Sequence, residues 1–432
     1  MSDGMKNFQK EIVLALLIII LGGCQAVPVS TPTIVPTESS PTPVAPTSTV
    51  VPPPSITPTV DLMQQAHITE KCMDPAPSRP PDIGSKGVVV LFKDNDSIGD
   101  LFGAFLLDID TNQITEISRP GNVYAYDSVA VSPDRKTLAY SIVAPDSQSV
   151  KLVLSNSKGE RQKTFYWGNT FPFSIGINGW LNNQQLYISP FLVFNPYTGA
   201  KQSFSPEGFP GYIQYGRGFD WFGIDPAVTR AVYKHSSGNS LEVVLVDIQT
   251  KLIVAEIPNY IDRAPQVDWS LDGSKAAIVG TVFTDPAQKK VGDEIFIVDK
   301  DGREVRQATH LSMVYPAESY NLNNLAWSPD GRYIAFWQVD WRIGETPLSG
   351  GVRLFVLDTK TENVTNYCVW SQADDNVYYG PIWSPDGKQL LIENRNGNGD
   401  NVLRAVIVDL EKNAAFVIAE DRIPVGWMIK EP

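Results

Sequence analysis

Trp327-Ser328-Pro329-Asp330-Gly331, followed at once by Arg332-Tyr333-Ile334-Ala335-Phe336-Trp337, is the stretch whose reading decides the fold. It reads as the end of one strand, a tight turn and the start of a second strand. Ser, Pro and Asp suit the early positions of a type I turn: the proline presets φ, and the glycine accepts the left-handed conformation where strand pairing resumes. Near-copies recur along most of the chain. Aligned on the turn, they are Val131-Ser132-Pro133-Asp134-Arg135, Trp180-Leu181-Asn182-Asn183, Ile224-Asp225-Pro226, Trp269-Ser270-Leu271-Asp272-Gly273 and Trp383-Ser384-Pro385-Asp386-Gly387. Successive anchors lie 49, 44, 45, 58 and 56 residues apart. Repeats of about 50 residues with only β signals belong to propellers rather than to helical solenoids.

An apolar strand follows each turn, over residues 137–142, 185–188, 230–233, 275–279, 332–337 and 389–392. A variable loop comes next, then a third strand that often closes on an aspartate: Asp247, Asp299, Asp358 and Asp409. Short polar turns such as Asp299-Lys300-Asp301-Gly302 lead to a weaker fourth strand. Four antiparallel strands per unit make the blade of a propeller. The inner strand ending in Trp reads nearly all apolar, as burial between neighbouring blades requires.

Both ends of the chain fit this scheme. Residues 87–92, 104–109 and 113–117 supply three strands of a unit that lacks its innermost strand, while Ile423-Pro424-Val425-Gly426-Trp427-Met428-Ile429 supplies an inner strand with no blade after it. Joining them closes the ring and removes open sheet edges. The expected fold is an all-β, seven-bladed β-propeller over residues 87–432, in preference to six or eight blades, closed by the C-terminal inner strand joining the N-terminal blade.

The repeats resemble the WD40-like repeat of TolB-type β-propellers, also seen in the propeller domains of prolyl-oligopeptidase-type peptidases. The resemblance covers residues 87–430 and implies a propeller whose recurring Trp269, Trp327, Trp383 and Trp427 pack the core. TolB carries an α/β domain ahead of six blades, whereas the segment before this propeller is of another kind.

Residues 1–23 read as a signal peptide: Lys6 and Lys10, then an apolar run over residues 12–21. A run of about ten apolar residues falls short of the roughly 20 that span a bilayer as a helix. Leu21-Gly22-Gly23-Cys24 resembles the bacterial lipobox, which implies lipidation of Cys24 and an extracytoplasmic protein anchored to a bacterial membrane. Residues 24–60 turn abruptly to Pro, Thr, Ser and Val, with Glu38 as the one charge. Such a segment buries too little apolar surface to order and favours extended polyproline-type conformations. At about 3.1 Å per residue, it is a tether reaching on the order of 100 Å. Residues 61–86 form a lead-in. Cys72 and Cys368 are then the two other thiols of an exported chain, and one disulfide between them is expected, with two buried free thiols as the alternative.

The net charge of −13 and a pI near 4.8 argue against nucleic acid and against an anionic membrane surface as partners, since both need a basic face. With three Cys and three His there is no cysteine-rich zinc site. There is no Gly-x-Ser-x-Gly elbow, P-loop or dinucleotide fingerprint. His235 and His310 fall in expected loops. Two polar loops, containing Asp94, Asp96 and Asp100 and, in the neighbouring blade of the ring, Asn396, Asn398 and Asp400, alternate oxygen-bearing side chains as calcium sites do. Neither has the closing glutamate of an EF-hand, and Asx/Gly hairpins explain both without a metal, so no cofactor is assigned.

The Ser-Pro-Asp-Gly turns and the third-to-fourth-strand turns share one face of the ring. Longer connections share the other, where propellers concentrate function. Aromatic residues are dense in those connections, and Trp167, Phe171, Tyr212, Tyr215, Tyr315, Trp341, Trp370 and Tyr379 are the candidate ligand-binding face. Exposed Tyr and Trp anchor proteins and sugars well, although such rings also pack loops onto blades. The expected function is a non-enzymatic, monomeric binding or scaffold module for an envelope protein, a peptide or a glycan. The alternative is a hydrolase or lyase acting on polysaccharide in the central pit, which requires paired carboxylates near the axis.

Overall fold

The Trp327–Trp337 stretch forms the corner between two strands. In the computed structural model, Gly331 N–H donates to Ser328 O at 2.9 Å and Ser328 N–H to Tyr333 O at 2.8 Å, and Gly331 sits at φ 68°. The model describes residues 62–81, 83–94, 101–124, 129–143, 150–168, 176–188, 192–203, 209–210, 223–237, 240–259, 266–285, 290–315, 320–340, 352–371, 380–395 and 402–432.

Seven sheets repeat one topology, in which strands two, three and four of each blade pair outward from an inner strand. Blade one takes its inner strand, Ile423–Met428, from the C-terminus and continues through Val88–Asp94, Leu101–Asp108 and Gln113–Tyr124. Blade two runs Val129–Val131, Leu138–Val143, Val150–Ser155, Arg161–Gly168, and blade three Ile177–Asn182, Gln185–Ile188, Leu192–Phe194, Lys201–Ser203. Blade four runs Gly223–Ile224, Arg230–Ser237, Ser240–Asp247, Ile253–Pro258, and blade five Val267–Trp269, Lys275–Asp285, Lys290–Asp299, Val305–Gln307. Blade six runs Tyr320–Trp327, Tyr333–Asp340, Val352–Asp358, Asn363–Ser371, and blade seven Ile382–Trp383, Gln389–Arg395, Leu403–Asp409, Ala414–Glu420. The ring closes where Val88 pairs with Met428 and Val89 with Trp427, antiparallel.

The core lies between blades, because each sheet buries both faces. In blade one Val88, Val90 and Phe92 pack with Leu138 and Tyr140 of blade two, while Val89 and Leu91 face the other way onto Leu391 and Ile407 of blade seven. Clusters of this kind occupy every junction around the ring. Strands buried on both faces need not alternate, which explains their continuous apolar runs.

Two features depart from expectation. First, the lead-in is part of the sheet system. After a four-residue helix, Leu62–Gln65, the strand Ile68–Glu70 adds a fifth, parallel strand outside Asn363–Ser371 of blade six, with Ile68 opposite Val364 and Glu70 opposite Asn366. Ala76 then bridges Phe416 of blade seven, and Ser85 Oγ donates to Gln389 Oε1 at 2.8 Å. Cys72 and Cys368 are joined as a disulfide with a Cα–Cα separation of 4.7 Å. Second, the strands reach further into the connections than the repeat suggested. Ser237 pairs with Ser240, so the second strand of blade four runs on past the 230–233 read from the sequence. His235 consequently lies in a strand opposite Glu242, buried, with Nδ1 3.7 Å from the Glu242 carboxylate.

Candidate functional site

The face of short turns is held by the turns' own side chains. Ser328 Oγ donates to Asp330 Oδ1 at 2.6 Å and accepts from Tyr333 N–H at 2.8 Å, while Asp330 Oδ1 also accepts from Arg332 N–H. The same pair recurs as Ser132 with Asp134, Ser270 with Asp272 and Ser384 with Asp386. The Ser274 N–H and the Ser270 hydroxyl hold Asp272 below the usual carboxylate range. Aspartates closing the third strands cap the next turn: Asp247 accepts from Thr250 N–H, Asp299 from Arg303 N–H, Asp358 from Lys360 N–H and Asp409 from Lys412 N–H. The oxygen-bearing side chains of this face therefore satisfy backbone donors of the fold itself.

Around the axis the inner strands are stapled by indole groups. Trp180 Nε1 donates to Ala130 O at 3.1 Å, Trp327 Nε1 to Asp268 O at 3.1 Å and Trp383 Nε1 to Ala326 O at 2.9 Å, each reaching the inner strand of the preceding blade. Trp269, Trp327, Trp383 and Trp427 are all buried, so these rings pack the core. The sequence showed the indoles as apolar bulk; their second role as cross-blade donors had no signal beyond the recurrence of Trp.

Among the described residues of the seven inner strands, Asp268 is the one carboxylate. Its Oδ1 accepts from Trp269 N–H at 3.0 Å and its Oδ2 from Trp327 N–H at 2.7 Å. Burial pushes its pKa up to about 6, against the two N–H groups that favour the charged form. A second acid, Glu294 of blade five, is fully buried and accepts from the Thr309 and Ser312 hydroxyls at 2.6 Å each and from the N–H groups of Leu311 and Ser312. Burial raises its pKa as well. It fixes the start of the one-turn 3-10 helix Leu311–Met313, where His310 Nδ1 lies 3.0 Å from Gln307 Nε2. His310 thus stands at a helix start on the variable face.

The candidate aromatic residues are distributed as follows. Trp167 lies near the end of the outer strand of blade two; its ring meets the Phe194 ring at 5.1 Å and carries Lys201 Nζ 4.4 Å above it. Tyr315 packs its ring against Tyr320 and Phe355, at 5.8 and 6.1 Å. Trp370 is in the strand Asn363–Ser371, opposite Arg353. Phe171, Tyr212, Tyr215, Trp341 and Tyr379 lie outside the described residues, as do Cys24 and the signal and tether segments. Of the oxygen-rich loops, Asp94 ends the strand Val88–Asp94, and Asp96, Asp100, Asn396, Asn398 and Asp400 lie outside the described residues. Among the described residues no group of three or more His, Cys, Asp or Glu is placed to hold a metal ion, and no helix is long and apolar enough to cross a membrane.

TolB from Acinetobacter baumannii aligns over 80% of this chain and 67% of its own, with 15% identity and a TM-score of 0.40. A protein from Lactobacillus plantarum aligns over 80% of this chain and 100% of its own at 11% identity and a TM-score of 0.47. An oligogalacturonate lyase from Vibrio parahaemolyticus aligns over 77% and 86% at 14% identity and 0.45. No protein-family model and no curated protein matches the sequence.

Proposed function

We propose that this chain is an envelope lipoprotein, tethered through lipidated Cys24 and residues 24–60, whose propeller is a non-enzymatic binding or scaffold module for a protein, peptide or glycan. The observation that carries the binding reading is Asp268. A pit enzyme cleaving polysaccharide would need two carboxylates facing one bond. The one carboxylate on the described inner strands has both oxygens engaged by main-chain N–H groups of Trp269 and Trp327. An acid held in that way clamps blade five to blade six. Binding is assigned to the face of longer connections, because the opposite face uses its polar side chains to close its own turns.

The test is recovery of partners from native envelope on immobilised propeller, residues 61–432, compared with a Tyr215→Ala/Trp341→Ala variant. A partner recovered by the parent and lost by the variant supports the reading; equal recovery by both overturns the placement on that face. The anchor is checked separately: Cys24→Ser is expected to move the protein from the detergent phase to the aqueous phase.

A further inference from the structure

Aspartate and glutamate make up 48 of 432 residues, yet none occurs in residues 161–206. That interval, the outer strand of blade two and nearly all of blade three, carries Arg161, Lys163 and Lys201 as its only charges in a chain whose net charge is −13. The structure brings its cations and rings together at the rim between the two blades. Lys163 Nζ donates to Pro196 O at 3.3 Å and Tyr197 O at 3.2 Å and stands 5.4 Å from the centre of the Tyr197 ring, which is 44% exposed. Two and four residues further along the same strand, Phe165 and Trp167 both meet Phe194 edge-on. Lys201, in the fully exposed strand Lys201–Ser203, holds its ammonium 4.4 Å over the Trp167 ring.

We propose that this rim is a binding surface for an anionic polysaccharide. It shares Trp167 with the loop face, and it stands whether or not that face binds the partner proposed above. Elsewhere the acidic surface repels a polyanion, so this sector is where an acidic polymer can approach. Lys163 and Trp167 are about 13 Å apart along an extended strand, long enough for a chain of sugars to touch both ends. The ammonium groups answer the acidic substituents, and the exposed Tyr197 ring beside them offers apolar surface to a sugar. Three cations are too few to hold a nucleic acid, whose binding rests on many phosphate contacts.

The test is affinity electrophoresis of the full chain in neutral detergent through gels containing alginate, neutral dextran or polyglutamate, with co-flotation on anionic vesicles alongside. Alginate is expected to retard the protein and dextran and polyglutamate are not, with the retardation weakening as salt is raised. Lys163→Glu/Lys201→Glu should weaken alginate binding at least tenfold, and Lys201→Arg should preserve it. Absence of retardation at low salt, equal capture by polyglutamate or vesicles, or unaltered binding by the double lysine variant would each overturn the proposal.

Discussion

At the scale of single residues, the buried acids set how stability responds to pH. Asp268 has a folded pKa near 6 against an unfolded value near 3.8. Between those values the folded state keeps a proton that the unfolded chain has released, so this group's contribution falls as pH rises from 4 to 6 and stays lower above that window. The displacement corresponds to about 3 kcal/mol. Asp272, held below its ordinary range, acts in the opposite sense: its contribution is present at neutral pH and is lost as the solution is acidified. Asp268→Asn keeps an acceptor for the Trp327 N–H and removes the charge. Its stability relative to the parent should therefore improve by about 3 kcal/mol between pH 4 and pH 7 in urea denaturation. A difference that does not vary with pH would mean that Asp268 titrates at the same pH in the folded and the unfolded chain. None of this was visible in Val267-Asp268-Trp269, where the aspartate looks like any polar residue at a strand end. Its surroundings arise only in the folded ring, where the Trp327 N–H of blade six meets its Oδ2.

At the scale of elements, the lead-in is the part that the repeat could not announce. Ile68–Glu70 has three residues, too short for any period to show, and parallel pairing to an outer strand leaves no turn signal. The blades themselves were legible because a turn of fixed chemistry recurs, and because Gly273, Gly331 and Gly387 occupy the left-handed conformation that the turn demands. The variable face was legible only as a location, since the aromatic residues there do not reveal from type alone whether they pack, as Tyr315 does, or face outward. Physically, the lead-in covers the edge of blade six, and the Cys72–Cys368 bond holds it there across 296 residues of sequence. Cross-linking a loop of that length limits the unfolded chain by roughly 6 kcal/mol in the chain-entropy picture. With Cys72→Ser, the lead-in is expected to detach while the propeller stays folded. Hydrogen exchange in 363–371 should rise at least tenfold, with little change in the second and third strands of blade six. Unchanged protection of 363–371 would show that Ile68–Glu70 holds without the bond.

At the scale of the whole molecule, stability depends on a strand that joins residues more than 300 positions apart. Ile423–Met428 serves two junctions at once: Trp427 packs with Val89 and Leu91 toward blade seven, and Met428 and Ile423 pack with Val88, Val90 and Phe92 toward blade two. Gly426 fits closely against Val131, where a Cβ would come within 2.4 Å of a methyl group. Beyond the strand, Ile429 N–H donates to Arg135 O at 2.9 Å and Lys430 pairs with Asp108 at 2.6 Å, tying the last residues to the turns of blades one and two. Three large side chains buried at about 1.5–3 kcal/mol each approach the 5–15 kcal/mol that separates folded from unfolded domains. A chain ending at Arg422 would also leave Val88–Asp94 with an open edge, paired only with Leu101–Asp108 on its other side, a template for association. Such a chain should lose its cooperative melting transition and elute as oligomers in size-exclusion chromatography. The milder Trp427→Ala should elute as the parent does, with stability reduced by about 3–5 kcal/mol. A truncated chain that stays monomeric and melts within a few degrees of the parent would show that six blades and three strands suffice. Closure would then be a consequence of the ring rather than what holds it.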